Sequence, residues 1–304
     1  MGREFLNYGE TRVIGSTPWS NTDRTFDHAR LYYRTAKQQF EILMVSPVKV
    51  LPERFNTPNL GERIWGTYNT LSNVWRGASI EWYVLRHSQN AIGGWAGKGT
   101  LGTDSFGGRF YGKLPRQFVY SLEGIGQAGH LGLLPQRAYA WFSGLSRTVT
   151  ALRKPLDLSA EYKLASGTKT GESYSGTYDQ LMSANHDKFG REDLFGWRNL
   201  KTFKSLGTYN FTKAFGLNLM YTDDWLFSAS DSLYNSQGKV IAASARGLAG
   251  THVGQELDSF VTYKYGAHLF GAGFGHLFSG RFVQLTTPNI NPRYFYVFQQ
   301  YSIR

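Results

Sequence analysis

The sequence of 304 residues contains no cysteine and no long run of apolar side chains. The first absence excludes disulfides, cysteine metal sites and thiol catalysis. The second excludes a helical membrane protein, because a transmembrane helix needs about 20 consecutive, mainly apolar residues. The mean hydropathy is −0.37, so the chain is polar on average. No signal peptide opens the sequence either, since Met1 leads directly into Gly2, Arg3 and Glu4 without an apolar region.

A helical hydrophobic period is also absent, and a period of two takes its place. About fourteen segments of about 8 to 12 residues alternate apolar with polar side chains, which is typical of β-strands that have two different faces. Residues 79–87, for example, place Trp82 and Val84 on one face and Glu81 and Tyr83 on the other. The sequence therefore predicts an all-β chain.

Three features favour a transmembrane β-barrel over a soluble β-sandwich. Strands of about ten residues match a tilted crossing of a bilayer, whereas typical strands in globular proteins have about 5 or 6 residues. The connections at 35–38 and 212–214 are tight, whereas those at 88–103, 166–198 and 229–251 are long and rich in Gly, Ser, Asn and charge. Aromatic residues also crowd the predicted strand ends, as in the interfacial girdles of such barrels: Tyr8, Trp19, Tyr32, Tyr33, Trp65, Tyr68, Trp82, Tyr83, Tyr139, Trp141, Tyr221 and Trp225.

The C-terminal segment completes this prediction. Residues 293–304 read as an aromatic strand, and many outer-membrane barrels end with such a strand, although commonly with a final Phe rather than Ile303-Arg304. No linker divides the chain, so we expect residues 1–304 to form one domain. The predicted fold is an antiparallel transmembrane β-barrel with about 14 strands in this chain, located in a bacterial outer membrane.

The charge of the chain is strongly basic. Lysine and arginine outnumber aspartate and glutamate by 33 to 22, which gives a formal net charge of +11. A basic surface attracts nucleic acid, anionic lipid or acidic polymers. The charges are spread along the chain and no nucleic-acid-binding module is visible, so we expect no nucleic-acid partner.

Many of these charges fall on or beside the polar faces that would line the barrel lumen. Guanidinium groups in an aqueous pore attract carboxylates and pair with them through two parallel hydrogen bonds. The candidate substrate-binding residues are Arg12, Arg24, Arg30, Arg34, Arg109, Lys113, Arg137, Lys163, Arg198, Tyr32 and Tyr111, and their candidate acidic partners are Glu81, Glu123, Glu161, Glu256 and Asp258. The alternative interpretation is that these charges are merely solvated or paired across the lumen. The face on which Arg137 lies also stays open, because either Ala138 and Ala140 or Tyr139 and Trp141 could face lipid.

One local motif looks like an acid–base pair, namely His186 beside Asp187. It lies in a long loop rich in Gly and Ser, which favours a structural or gating role. The spacing of His252, His268 and His276 does not place metal ligands on one strand face. We therefore expect no enzyme activity, no metal site and no cofactor.

Two stretches of the sequence resemble the alginate-export porin family. The first covers residues 2–15, from Gly2-Arg3-Glu4 to Val13-Ile14-Gly15, and continues through 19–27 into the strand at Ala29-Arg30-Leu31. The second combines residues 178–181, 185–190 and 193–199. The rhythm of the strands remains similar to that family over nearly the whole chain.

The resemblance implies an outer-membrane porin that exports alginate, a linear polyuronate with one carboxylate per sugar, or that passes related anions. In that family a signal peptide and several strands precede the first stretch, in a barrel of roughly eighteen strands. The resemblance therefore implies that this chain lacks its N-terminal strands. Either those strands exist in the natural protein or the fourteen strands close by themselves, because an open edge would leave backbone groups unpaired in lipid.

The expected function is thus an outer-membrane channel that passes anionic polysaccharide or oligosaccharide through a basic lumen. The expected partners are this anionic solute, outer-membrane lipid, the barrel assembly machinery and periplasmic export partners. Two alternatives stay open: a general anion or nutrient porin, and a soluble all-β protein that binds or cleaves acidic polysaccharide. A porin should require detergent, whereas a lectin or lyase should not.

Overall fold

A computed structural model describes residues 1–20, 22–92, 99–244, 246–288 and 291–302. The strands are β1 (Gly2–Glu4), β2 (Phe26–Arg34), β3 (Gln38–Lys49), β4 (Thr57–Pro58), β5 (Glu62–Trp75), β6 (Ala78–Ile92), β7 (Gly99–Leu114), β8 (Phe118–Leu131), β9 (Leu134–Ala151), β10 (Lys154–Ala165), β11 (Leu200–Asn210), β12 (Phe215–Leu226), β13 (Leu233–Tyr234), β14 (Val240–Ala242), β15 (His252–Tyr265), β16 (His268–Ser279) and β17 (Arg293–Tyr301). A 3-10 turn spans Pro115–Gln117, and one short helix, α1, spans Arg281–Thr286.

Fourteen of these strands form a single antiparallel sheet. Their order is β1-β2-β3-β5-β6-β7-β8-β9-β10-β11-β12-β15-β16-β17, with β4 added beside β3 and with β13 and β14 as a separate pair. The order follows the chain, because antiparallel neighbours can be joined by tight turns. Among the described residues β1 and β17 each pair on one side only. The all-β class, the antiparallel pairing and the number of strands predicted from the sequence are confirmed.

The predicted separation of faces is also confirmed. In β6 Tyr83 is buried, whereas Trp82 and Val84 are 39% and 40% exposed. Leu31 of β2 lies opposite Ile42 of β3, and both are exposed. Because side chains alternate along a strand, the sheet has an outer face of exposed apolar side chains and an inner face of mainly buried ones.

The inner face curls around the segment that joins β1 to β2. Tyr8 of this segment donates a hydrogen bond to Glu41 of β3 at 2.7 Å. Trp19 of the same segment packs edge-on against Tyr296 of β17, with ring centroids 5.1 Å apart. Since residues 5–25 reach strands near both ends of the strand order, the sheet must bend around them.

A second connection, residues 166–199 between β10 and β11, is also largely buried. Its side chains include Tyr178 and Trp197, which are 0% and 1% exposed. They belong to a hydrophobic cluster that includes inner-face residues such as Leu85 and Ile125. The core of the molecule therefore lies inside the curved sheet rather than between two sheets.

Two predictions about local structure are wrong in part. The long connection predicted at 88–103 is mostly strand, because β6 continues to Ile92 and β7 begins at Gly99, while 93–98 lie outside the described residues. Gln89 pairs with Leu101 there, so pairing between long strands overrides the weak strand preference of Asn, Ser and Gly. The aromatic strand predicted at 293–304 spans Arg293–Tyr301, and 303–304 lie outside the described residues.

The aromatic girdle also needs correction. Trp65 and Trp82 are exposed on the outer face, as the prediction requires, but Tyr8, Tyr68 and Tyr83 are buried inside. Periodicity shows which face a side chain takes, but it cannot show that another segment of the chain covers that face. No helix among the described residues is long and apolar enough to cross a membrane.

Candidate functional site

Inside the sheet, the described residues 5–20 and 22–25 join residues 166–199. Ile14 forms a parallel β-bridge with Met182. The guanidinium of Arg24 donates to the carbonyl oxygen of Met182 at 2.7 Å. We call these two joined segments the inner plug. Because their backbones bond to each other, they form one structural unit.

The first contact between the inner plug and the sheet is a buried arginine. Arg109 of β7 is 7% exposed and binds Glu81 of β6 through two hydrogen bonds, of 2.8 and 2.9 Å. Its third contact, at 2.8 Å, is Glu10 of the plug. Burial would raise the pKa of Glu10, but the charges of Arg12 and Arg109 outweigh it and hold that pKa below its usual value. Glu10 is therefore held as a carboxylate between two guanidinium groups.

A second buried arginine reaches from the plug to the sheet. Arg12 donates to Glu123 of β8 at 3.0 Å, and the two side chains are 5% and 3% exposed. Its guanidinium carbon lies 3.2 Å from the ring centre of Phe142. Tyr83 donates to the other oxygen of Glu123 at 2.8 Å. Charge-assisted bonds of this kind compensate the cost of burying both ions.

Tyrosine hydroxyls satisfy further inner-face carboxylates. Tyr68 donates to Glu81 at 2.6 Å. The rings of Tyr68 and Tyr83 are stacked, with centroids 5.2 Å apart. The hydroxyl of Tyr68 donates to Glu81 and that of Tyr83 to Glu123, so the stacked rings fix the positions of both carboxylates.

A group of lysines forms the third contact. Lys163 of β10 lies 3.0 Å from Glu161, and Lys204 of β11 lies 3.7 Å from the same carboxylate. Lys163 also donates to the carbonyl oxygen of Lys188 in the plug. Burial, together with the charges of Arg12 and Lys204, lowers the pKa of Lys188 to about 8. This part of the interior is basic.

Asp179 anchors the plug to β6 through His87. Its carboxylate lies 2.6 Å from Nδ1 of His87 and 3.2 Å from Arg198. Burial favours a high pKa for Asp179, but the charge and hydrogen bond of His87, together with Arg198, outweigh it and lower that pKa. Arg198 is thus bound within the plug and does not face open solvent.

Three carboxylates meet where the plug contacts β15. Glu256 and Asp258 are 0% and 1% exposed. The backbone N–H groups of Arg191 and Glu192 donate to one oxygen of Glu256, at 2.6 and 3.1 Å. Burial, together with the charge of Asp258, raises the pKa of Glu192 to about 7. This contact therefore depends on protonation.

Other predicted residues lie nearer to solvent. Arg30 lies 3.6 Å from Glu41. Arg34 is exposed, donates to Gln39 at 2.9 Å, and has its guanidinium carbon 5.3 Å from the ring centre of Tyr32. Lys113 is exposed at the end of β7, and Tyr111 lies under Arg109, at 3.8 Å. The structure therefore divides the predicted bases into a buried, paired group and an exposed group.

Arg137 lies on the outer face, so its assignment to the lumen needs correction. It pairs in register with Ala128, and its neighbour Tyr139 is 50% exposed while Ala138 is 6% exposed. Its guanidinium carbon is 5.6 Å from the ring centre of Tyr174. The aromatic residues of this strand face outward, which settles the ambiguity in the sequence.

The pair at His186 and Asp187 is part of the plug. Nδ1 of His186 lies 2.7 Å from Asp193, and Nε2 lies 3.4 Å from its neighbour Asp187. The imidazole stacks on Trp19, with centroids 4.6 Å apart. This histidine therefore joins the two segments of the plug.

Sequence reasoning missed several residues that hold this interior together. Glu10 and Asp179 lie outside strands, where the alternation of faces gives no information. Glu41 lies between Phe40 and Ile42 in a clear strand, so alternation alone could have found it.

Two recesses remain on either side of the plug. One, with a volume of about 480 Å³, lies toward the short turns and is lined by Arg30, Arg34, Glu41 and Tyr68, among others. The other, of about 500 Å³, lies toward the long loops beside Trp19. The interior is thus an ionised space with polar recesses on both sides of the plug.

Comparison with known proteins agrees with this architecture. No curated protein matches the sequence. A sequence model of the family described as alginate export matches residues 1–297, which is nearly the whole chain. That family consists of outer-membrane porins rather than enzymes. The resemblance noted in the sequence is confirmed, and the chain belongs to the alginate export family.

Proposed function

We propose that the protein is an outer-membrane channel for anionic polysaccharide or oligosaccharide of the polyuronate type. One observation carries the proposal: a member of the alginate export family has an apolar outer face and encloses an ionised interior. An apolar band outside and polar side chains inside are the pattern of transmembrane barrels.

The contacts of the plug suggest how such a solute would bind. Glu10 places a carboxylate between Arg12 and Arg109. A uronate carboxylate has the same charge and the same two oxygens, so it can replace Glu10 on these guanidinium groups. Passage therefore requires the plug to move, and the arginines that it releases would bind the passing polymer.

The test is permeation into liposomes that contain the folded protein. Oligouronates and neutral oligosaccharides of equal length are compared by the rate of osmotic swelling. We expect the oligouronate to enter faster, with a preference that decreases as salt screens the charges. Equal rates for both sugars would instead assign the protein as a general nutrient porin. Since the plug must move for passage, the variant Glu10→Gln, which weakens the link from the plug to Arg12 and Arg109, is measured as well. The absence of swelling with either sugar in both proteins would contradict the proposed channel.

A further inference from the structure

At one end of the sheet, the charged residues of the short turns are all basic. Six turns lie at this end, at 35–37, 76–77, 115–117, 152–153, 211–214 and 266–267. Each turn, or a strand residue within two positions of it, contributes lysine or arginine, and none contributes aspartate or glutamate. We call the following residues the turn collar: Arg34, Lys37, Arg76, Lys113, Arg116, Arg153, Lys154, Lys213 and Lys264.

The turn collar differs from the basic residues inside the sheet in having no acidic partners. All nine side chains are exposed. They contact neutral groups: Arg34 donates to Gln39, and Arg76 lies over the ring of Trp75. By contrast, Arg12 and Arg109 inside are bound by carboxylates. Within the described residues, the uncompensated charge of this end is therefore concentrated on the rim.

Part of the turn collar faces inward. Arg34 lies an even number of residues from Arg30, and Lys113 an even number from Arg109, so each lies on the inner face of its strand. Lys264 shares its face with Asp258 in the same way. Successive turns are two strand spacings apart, or roughly 10 Å. Positive charges that line an opening whose walls have a low dielectric constant raise the local concentration of anions.

We propose that the turn collar binds the anionic polysaccharide at the short-turn mouth. The inference rests on the proposed function, and it adds a binding site outside the plug. A polymer with one carboxylate per sugar contacts several collar residues at once, so weak individual contacts combine. The inward position of Arg34, Lys113 and Lys264 favours a polymer in the mouth over lipid headgroups around the outside.

The test is isothermal titration of oligouronate into the detergent-folded protein. The triple variant Arg34→Gln, Lys113→Gln, Lys264→Gln removes the inward charges. Its matched control, Arg54→Gln, Arg63→Gln, Lys239→Gln, removes three exposed charges at the long-loop end. We expect the collar variant to weaken binding at least about tenfold, which is the affinity change for 1.4 kcal/mol, and the control to change it less than about twofold. Binding to the natural protein should fall as salt rises.

Unchanged binding by the collar variant would overturn the inference. An acidic peptide of equal charge that binds the collar as tightly as the oligouronate would also overturn it. So would a loss of oligouronate binding that the collar variant shows in nanodiscs of anionic lipid but not in detergent. Heat-modifiable gel migration shows that each variant is folded. If liposomes fail to swell while the collar still binds oligouronate, the proposed channel fails but the binding site stands.

Discussion

At the scale of single residues, the interior is stable because its ions occur in groups. Arg109 touches Glu81 and Glu10, and both the base and Glu81 are buried. Removing one member of such a group leaves a buried charge without compensation, which costs more than the intact group contributes. These arginines therefore contribute to stability, whatever solute the interior passes.

Replacing Arg109 with alanine tests this directly. We expect the free energy of unfolding to fall by about 3 to 5 kcal/mol, because Glu81 would stay buried without its partner. Urea unfolding of the detergent-folded protein measures the change. The matched control is Arg86→Ala, since Arg86 and its partner Asp104 are 34% and 39% exposed; exposed pairs contribute about 0 to 1 kcal/mol. Equal losses in the two variants would contradict the account.

At the scale of elements, the contact between the plug and β15 makes the binding of the plug to the sheet, here called docking, depend on pH. Glu192 has a pKa of about 7 in the folded protein, against an ordinary value of 4.5. The docked state therefore binds more protons than the undocked state between these pH values. Docking is strongest below pH 4.5 and weakens as the pH rises through 7.

Hydrogen exchange of the plug measures this dependence. We expect protection of the amides at 187–196, corrected for intrinsic exchange, to fall as the pH rises from 4.5 to 7. The fall should be on the order of tenfold, since one unit of pKa shift corresponds to that factor and solvent access reduces the full effect. Glu192→Gln should reduce the dependence, and the part that remains belongs to Glu256 and Asp258, which are buried in the same contact. A variant that keeps the full pH dependence would show that other groups control docking.

The sequence predicted the strands well and the plug poorly, for a physical reason. Alternation in β6 and β10 reports the two environments of a strand, so Trp82 and Lys163 were assigned to the correct faces. The buried contacts of Glu10 and Asp179 depend on how distant segments meet, and no local pattern encodes that. Arg137 shows the limit within a strand, because both faces of β9 carry apolar residues there.

At the scale of the whole molecule, charge is arranged in two zones. Inside, bases such as Arg12 are paired with carboxylates. At the short-turn rim, the bases of the turn collar are exposed, and within the described part of the chain they contact neutral groups only. At this mouth we expect an anionic polymer to meet unpaired charge first and then to compete with the plug's own carboxylate for the interior arginines.

The central claim is that the protein is a channel held closed by the inner plug, and single-channel conductance in a planar bilayer tests it most directly. Glu10→Gln weakens the link from the plug to Arg12 and Arg109, whereas the control Asp157→Asn changes an exposed inner-face carboxylate outside the plug. We predict rare openings for the natural protein and the control, frequent openings for Glu10→Gln, and reversal potentials that show anion preference. Steady conductance of equal size in all three proteins would show that the plug does not close the channel, and would contradict the account.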